Sequence, residues 1–371
     1  MQQYEKPKIF QLDLLRVIAT VAIATFHLFS KRNLQHFAEI PMYSFLSSAS
    51  RNGRWATDLF FILSGFLLVY TFDAKSSVYQ FIKKRVIRFW PVLVFIMGCY
   101  FVSYLFGLYK FNLLWYMVTF FGLSGTGIAG NHTVVTPFWY VSALLWVSAG
   151  LYFLMRHIDR EKLNIIVLVL VLLAYTMLFQ MPINFKQLLF AQTWHGIINV
   201  GLLRAIGGIG IGYLIAQWYQ NYIKRKANNT ASINKDKFFS VAEIVGISAL
   251  IYAFFLNTTM LRNVGFMLVL FVILLVIMLS NRGWLSQKLN KPTCINVLAR
   301  YTYSLYMCHS FVYFLLRKVL WRPYPQIVIS EPIGNVVLTI VCVIIMTLIT
   351  YYGVEMPAKK LAKRIQEKRY R

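Results

Sequence analysis

Acidic side chains are what this sequence has least of. Asp and Glu number 12 in 371 residues against 38 Lys and Arg, and all charged types together make up only 13%. Soluble domains carry about a quarter charged residues, so this chain is not built to cover a water-facing surface. Cysteine is scarce too. Cys99, Cys294, Cys308 and Cys342 fall in or beside apolar runs, none at C-x-x-C or C-x-x-H spacing. That argues for free thiols packed in helices and against a metal site. There is no Gly-x-Ser-x-Gly, His-Glu-x-x-His or P-loop pattern, so the commonest hydrolase, zinc-peptidase and nucleotide-hydrolysing signatures are missing. No small-residue cleavage site follows the first apolar run, which is therefore expected to remain as a span rather than leave as a signal peptide.

What is present is apolar: 58% hydrophobic, 17% aromatic, with a mean hydropathy of +0.59. The expectation is an all-α integral membrane protein. A 19-residue window gives about ten transmembrane helices, near 10–30, 55–72, 89–107, 138–155, 163–180, 198–218, 239–257, 262–280, 296–316 and 333–353. Segment 111–123 is apolar but short, and either lies at an interface or re-enters. With the N-terminus inside, the inner segments hold about 26 of the 38 Lys and Arg. This predicts an N-in/C-in topology by the positive-inside rule. It also removes nucleic acid as a partner, because the charge of +26 is spread over short loops rather than gathered on one domain. The polar stretch 224–238 reads as a cytoplasmic connector and 354–371 as a basic cytoplasmic tail on the inner surface. The whole of 1–371 is expected to be one transmembrane domain in the cytoplasmic membrane.

The stretch 10–30 carries Asp13, Arg16, Thr20 and His27 inside an otherwise apolar run. At 100° per residue these four fall within about 60° of one another, with Arg16 and His27 roughly 16 Å apart along the axis. Ionisable groups at two depths on one face mark a polar path or a structural pair hydrogen-bonded to neighbours. A neutral imidazole is well suited to take a proton from a hydroxyl at neutral pH. Asp58, near the outer end of the second span, is depth-matched to His27. It either orients that imidazole or caps its own helix. Lys84, Arg85 and Arg88 precede Pro91 on the inner side, as ordinary membrane anchors or as a phosphate clamp for a cytosolic donor. Tyr303, Tyr306 and His309 share a helix face and are expected to line a cavity with His27. Glu355 closes the last span level with Arg16, which it could hold in place. The GGIGIG run at 207–212 has no preceding strand, so Gly208 and Gly212 read as a small-xxx-small packing face. Arg204 is a third intramembrane cation to which the sequence assigns no role.

Taken in order, these pieces resemble the membrane acyltransferase family called acyltransferase type 3. The resemblance lies in Arg16 and His27, ATDLFFILSGFLL at 56–68, RVIR at 85–88 before Trp90-Pro91, ARYTYSLYMCH at 299–309 and GVEMP at 353–357. It runs through essentially the whole chain. It implies an O-acyltransferase that takes an acyl group, usually acetyl, from cytosolic acyl-CoA, with no tightly bound cofactor. The implied acceptor is a hydroxyl of a cell-surface or exported polysaccharide, or of a lipid-linked glycan. Membrane lipids, a homo-oligomer and polysaccharide-synthesis proteins are the further partners it leaves open. His27 and Arg16 become the essential pair, with Arg85 and Arg88 contacting the CoA phosphates. Asp58, His309 and Glu355 match shared polar positions. The fourth span, PFWYVSALLW at 137–146, departs from the family's Trp-Ser-Leu-x-x-Glu-Glu by lacking an acid. That departure looks more like the branch acting on exopolysaccharide or capsule. The sequence ends about 18 residues after the last expected span, so transfer is expected to be direct or through a separate protein. A glycan or lipid-linked-sugar transporter or flippase is the alternative, since such carriers also use intramembrane His, Asp and Arg.

Overall fold

The computed structural model describes residues 8–29, 45, 47, 50–127, 133–180, 193–194, 198–228, 237–256 and 264–369. Within them the chain is helical almost throughout; the one strand pair, Thr193–Trp194 with Ile198–Asn199, is two residues a side. Helix α1 is Gln11–Leu28. A 3-10 segment, Ser50–Trp55, runs directly into α2, Ala56–Tyr70.

Helix α3, Val78–Leu105, starts well before the span expected near 89–107. A capping box starts the helix: Gln80 N donates to Ser77 Oγ at 3.1 Å and Ser77 N donates to Gln80 Oε1 at 3.0 Å. Pro91 therefore lies inside the helix rather than at its start, where it removes the rung to the Ile87 carbonyl. Lys84, Arg85 and Arg88 ride on the first turns.

Helix α4 is Leu113–Phe120, capped by Asn112. Eight residues reach about 12 Å, far short of the roughly 30 Å hydrocarbon core, so 111–123 does not span. It is pinned to α3 by Trp90 Nε1 donating to the Phe120 carbonyl at 2.8 Å and by Tyr116 Oη donating to that of Met97 at 3.3 Å.

Five helices follow: α5 (Phe138–His157), α6 (Arg160–Gln180), α7 (Val200–Asn228), α8 (Lys237–Ile251) and α9 (Val264–Ser280). Of the expected connector 224–238, the part up to Asn228 is helical and 229–236 lies outside the described residues. Two short helices, α10 (Trp284–Lys288) and α11 (Cys294–Leu298), lead to α12 (Thr302–Leu316), which continues into a π-helical turn, Arg317–Trp321. After α13 (Pro325–Ser330), α14 (Pro332–Thr350) passes through another π-helical turn, Tyr351–Glu355, into the basic helix α15 (Met356–Arg369).

Among the described residues, eight helices are long and apolar enough to cross a membrane. The expected spans near 262–280 and 296–316 form the shorter helices α9 and α12; the first part of the latter is split off as α11.

The centre of the bundle is the pair α2–α7. Gly65, Gly208 and Gly212 bring their backbones together. A Cβ on Gly212 would collide with the Ile62 carbonyl oxygen, one on Gly65 with that of Ile209, and one on Gly208 would lie 2.6 Å from Phe61 Cβ. The run GGIGIG is thus a helix-packing surface, as its context predicted. Ala56, Leu59, Phe61, Ile62 and Phe66 fill the remaining faces of α2 and are almost wholly buried.

Candidate functional site

One end of the bundle holds a chamber of ≈ 680 Å³. The first turns of α3 and α12, the Arg16 level of α1, α2 from Phe60 to Leu68, α5 at Tyr140, Val141, Leu144 and Tyr152, and the π-helical turn after α14 wall it. Six cations line it, namely Arg16, Lys84, Arg85, Arg88, Arg300 and Lys359, against two carboxylates, Asp73 and Glu355. The carboxylates have local work. Asp73 accepts from Lys75 N at 3.0 Å and Ser76 Oγ at 2.7 Å. Glu355 accepts from Ser304 Oγ and from Lys359 Nζ, each at 2.5 Å. Arg85 and Arg88 form no ion pair among the described residues; their guanidinium groups lie over the Phe81 and Phe89 rings at 4.7 and 5.3 Å. Stacking fixes the direction of each guanidinium and leaves its edge N–H groups free for an anion.

Arg16 is held by its own helix. Its Nη1 donates to Asp13 Oδ1 at 2.8 Å, and Asp13 also accepts from Asn296 Nδ2 at 3.0 Å and pairs with Lys8 Nζ at 2.7 Å. Glu355 does not hold Arg16, contrary to the sequence reading. The i, i+3 carboxylate one turn away on the same helix face takes that place.

Asp58 is likewise engaged elsewhere than expected. Both its oxygens receive Arg204, Nε at 3.1 Å and Nη2 at 2.6 Å, across α2 and α7. Arg204 also donates to the Arg54 carbonyl at 3.2 Å and to Thr57 Oγ1. The Trp55 and Trp139 rings flank the guanidinium at 5.8 and 5.5 Å. The pair is buried, so each partner supplies the countercharge the other needs in a low dielectric. This gives Arg204 the role the sequence left blank.

His27 and His309 come together as predicted, their rings 5.1 Å apart. His309 is fully buried. Its Nδ1 lies 3.1 Å from the Leu305 carbonyl, which can only accept, so the proton is on Nδ1 and Nε2 keeps its lone pair. That Nε2 has no hydrogen-bond partner among the described residues. Tyr303 and Tyr306 line the cationic chamber, whereas the two imidazoles are not among its lining residues. The chamber ends at Phe60, Tyr140 and Tyr306, and the Tyr306 ring lies 6.0 Å from that of His309. Tyr303, from the same face of α12, faces the chamber with its hydroxyl bonded to the Phe89 carbonyl at 2.7 Å.

Sequence reasoning missed Tyr140, Phe60, Arg300 and Lys359 as lining groups. Arg300 and Lys359 stand beside motifs that had been read, at 299–309 and 353–357. Tyr140 lies in the fourth span, where attention went to a missing acid. Phe60 was legible only as one apolar residue among many.

Membrane-length helices packed around a cationic chamber, with two imidazoles beyond its inner wall, are the features of a multi-pass membrane protein. A family model described as an acyltransferase domain matches residues 9–352. The chain belongs to this family, acyltransferase type 3, and is a membrane acyltransferase. No curated protein and no solved structure matches the chain significantly.

Proposed function

We propose that this acyltransferase takes an acetyl group from cytosolic acetyl-CoA and transfers it to a hydroxyl of a cell-surface or exported glycan, in the cytoplasmic membrane and with both termini inside. The observation that carries this reading is the chamber: six cations around ≈ 680 Å³, with the arginines of RVIR in no ion pair among the described residues. The polyphosphate end of CoA carries several negative charges, and guanidinium groups bind phosphates through paired N–H donors. Lys84, Arg85, Arg88 and Arg300 are the groups for those phosphates. Arg16, tied to Asp13, stands farther in, where the thioester end would pass.

Beyond the chamber His27 takes the proton of the acceptor hydroxyl as its oxygen attacks the thioester carbon. The C–O bond forms, the C–S bond breaks, and the proton passes from His27 to the departing CoA sulfur. His309, with its Nε2 lone pair, accepts the second N–H of His27 and fixes its tautomer, the orienting role first assigned to Asp58. At a ring separation of 5.1 Å an edge-to-edge turn of the imidazoles reaches hydrogen-bond length, about 3 Å. Asp58 and Arg204 act at one remove, by setting α2 against α7.

The test is transfer of radiolabelled acetyl from acetyl-CoA into cell-envelope glycan by membranes containing wild type, His27→Ala or Arg85→Ala/Arg88→Ala at matched expression. Label is expected with wild type, lost with His27→Ala, and recovered in the arginine variant only at high donor concentration. Equal label in His27→Ala and wild type overturns the assignment of the base. Failure of the wild type to bind CoA overturns the donor.

A further inference from the structure

On the reading above, the thioester must travel from the cationic chamber to the histidine pair, and the structure closes that route with three rings. Phe60, Tyr140 and Tyr306 form a triangle with centroids 6.0 Å (Phe60–Tyr140), 6.3 Å (Phe60–Tyr306) and 5.6 Å (Tyr140–Tyr306) apart. At such separations aromatic rings are in van der Waals contact, so no channel wide enough for a pantetheine arm runs between them. All three line the chamber, whereas neither His27 nor His309 does. His309 is the next ring beyond Tyr306, and His27 the next after that.

The rings are not equally fixed. Tyr306 Oη donates to the Pro137 carbonyl at 2.9 Å, tying α12 to the start of α5. Tyr140 Oη shares a hydrogen with Ser64 Oγ at 3.3 Å, tying α5 to α2. Phe60 has no polar anchor. The backbone beneath it cannot yield, because α2 is locked to α7 by the glycine contacts and the buried Asp58–Arg204 pair.

We propose that Phe60 is the gate and the chain-length filter of this acyltransferase. Its ring swings about its own side-chain bonds to admit the thioester, and the space it vacates, bounded by the two anchored tyrosines, sets the longest acyl chain accepted. Opening the triangle by moving either tyrosine would break a hydrogen bond; moving Phe60 breaks none. The ligand class this assigns to the inner site is a short acyl thioester.

The experiment compares radiolabelled acetyl-, butyryl- and hexanoyl-CoA as donors to cell-envelope glycan, using full-length wild type, Phe60→Ala, Phe60→Leu and Phe60→Trp in membranes. Wild type is expected to prefer acetyl. Phe60→Ala is expected to raise the hexanoyl-to-acetyl ratio of kcat/KM at least tenfold, Phe60→Leu to raise it less, and Phe60→Trp to depress butyryl relative to acetyl. Phe60→Leu keeps the test open if Phe60→Ala does not fold. Folded variants with the wild-type chain-length profile overturn the inference and leave the donor reading intact. Folded variants inactive with every donor also overturn it, since a gate that is removed should not stop acetyl transfer. Wild type inactive with all three thioesters instead overturns the donor reading on which the inference stands.

Discussion

Replacing Asp58 with Asn keeps the side-chain volume but leaves the guanidinium of Arg204 without its countercharge. Two of the hydrogen bonds Arg204 donates go to Asp58, and what remains is the Arg54 carbonyl and the Thr57 hydroxyl. Arg204 is 4% exposed and Asp58 1%, so water does not take over. Removing one partner of a buried pair costs about 3–5 kcal/mol. For a chain of this size that corresponds to a fall in Tm of about 4–6 °C. Arg204→Met should fall as far, since it strands the carboxylate. The double variant Asp58→Leu/Arg204→Met replaces the pair with apolar groups of similar bulk and should recover to within about 1 kcal/mol of wild type. Fluorescence-detected melting of detergent-purified protein reads all four members of the cycle, and acyl transfer in membranes reads their activity. A double variant that is both stable and active confirms that the pair only holds α2 to α7. An Asp58→Asn protein that melts within a degree of wild type, or a double variant as unstable as the singles, refutes the argument. A double variant that is stable but inactive restores Asp58 to the chemistry.

Other expectations rest on equally local contacts. Gly212→Val should prevent assembly of a monodisperse protein on gel filtration, whereas Gly150→Ala, where a Cβ meets nothing within 4 Å, should behave as wild type. Trp90→Phe loses the bond to the Phe120 carbonyl that pins α4, and should cost about 1 kcal/mol in melting experiments. Donor recognition by the chamber cations predicts a KM for acetyl-CoA that climbs several-fold between roughly 0.05 and 0.5 M salt, because screening lengths shrink over that range; a KM independent of salt would contradict it.

Much of this arrangement was legible in one dimension, and what was not has common physical causes. The stripe of Asp13, Arg16, Thr20 and His27 could be drawn from helical periodicity alone, as could the glycine face of α7. Partner choice did not follow. Asp58 and Arg204 are 146 residues apart, and nothing in either neighbourhood encodes the other. Depth-matching compares positions along the helix axis and could not tell which helix face Asp58 used. Arg16 was offered the distant Glu355 although Asp13 stood one turn away on the same face. The start of α3 was misplaced because hydropathy outweighed the Ser-x-x-Gln signal at 77–80. Tyr140 and Phe60 carry no sequence mark, since in so aromatic a chain a ring at an inner wall looks like any other core residue.

The glycine-to-glycine contact of α2 with α7 also has a kinetic side. Helix displacements and domain closures run on microseconds to milliseconds, whereas side-chain rotamer changes are far faster. A helix whose backbone touches its neighbour's, and which a buried ion pair clamps as well, has no room to tilt or slide. Any opening between the chamber and the imidazoles is then confined to bond rotations of individual side chains. Such steps are too quick to limit turnover at ordinary enzymatic rates, so the slow event in each cycle must be sought in the chemistry or in the arrival and departure of substrates.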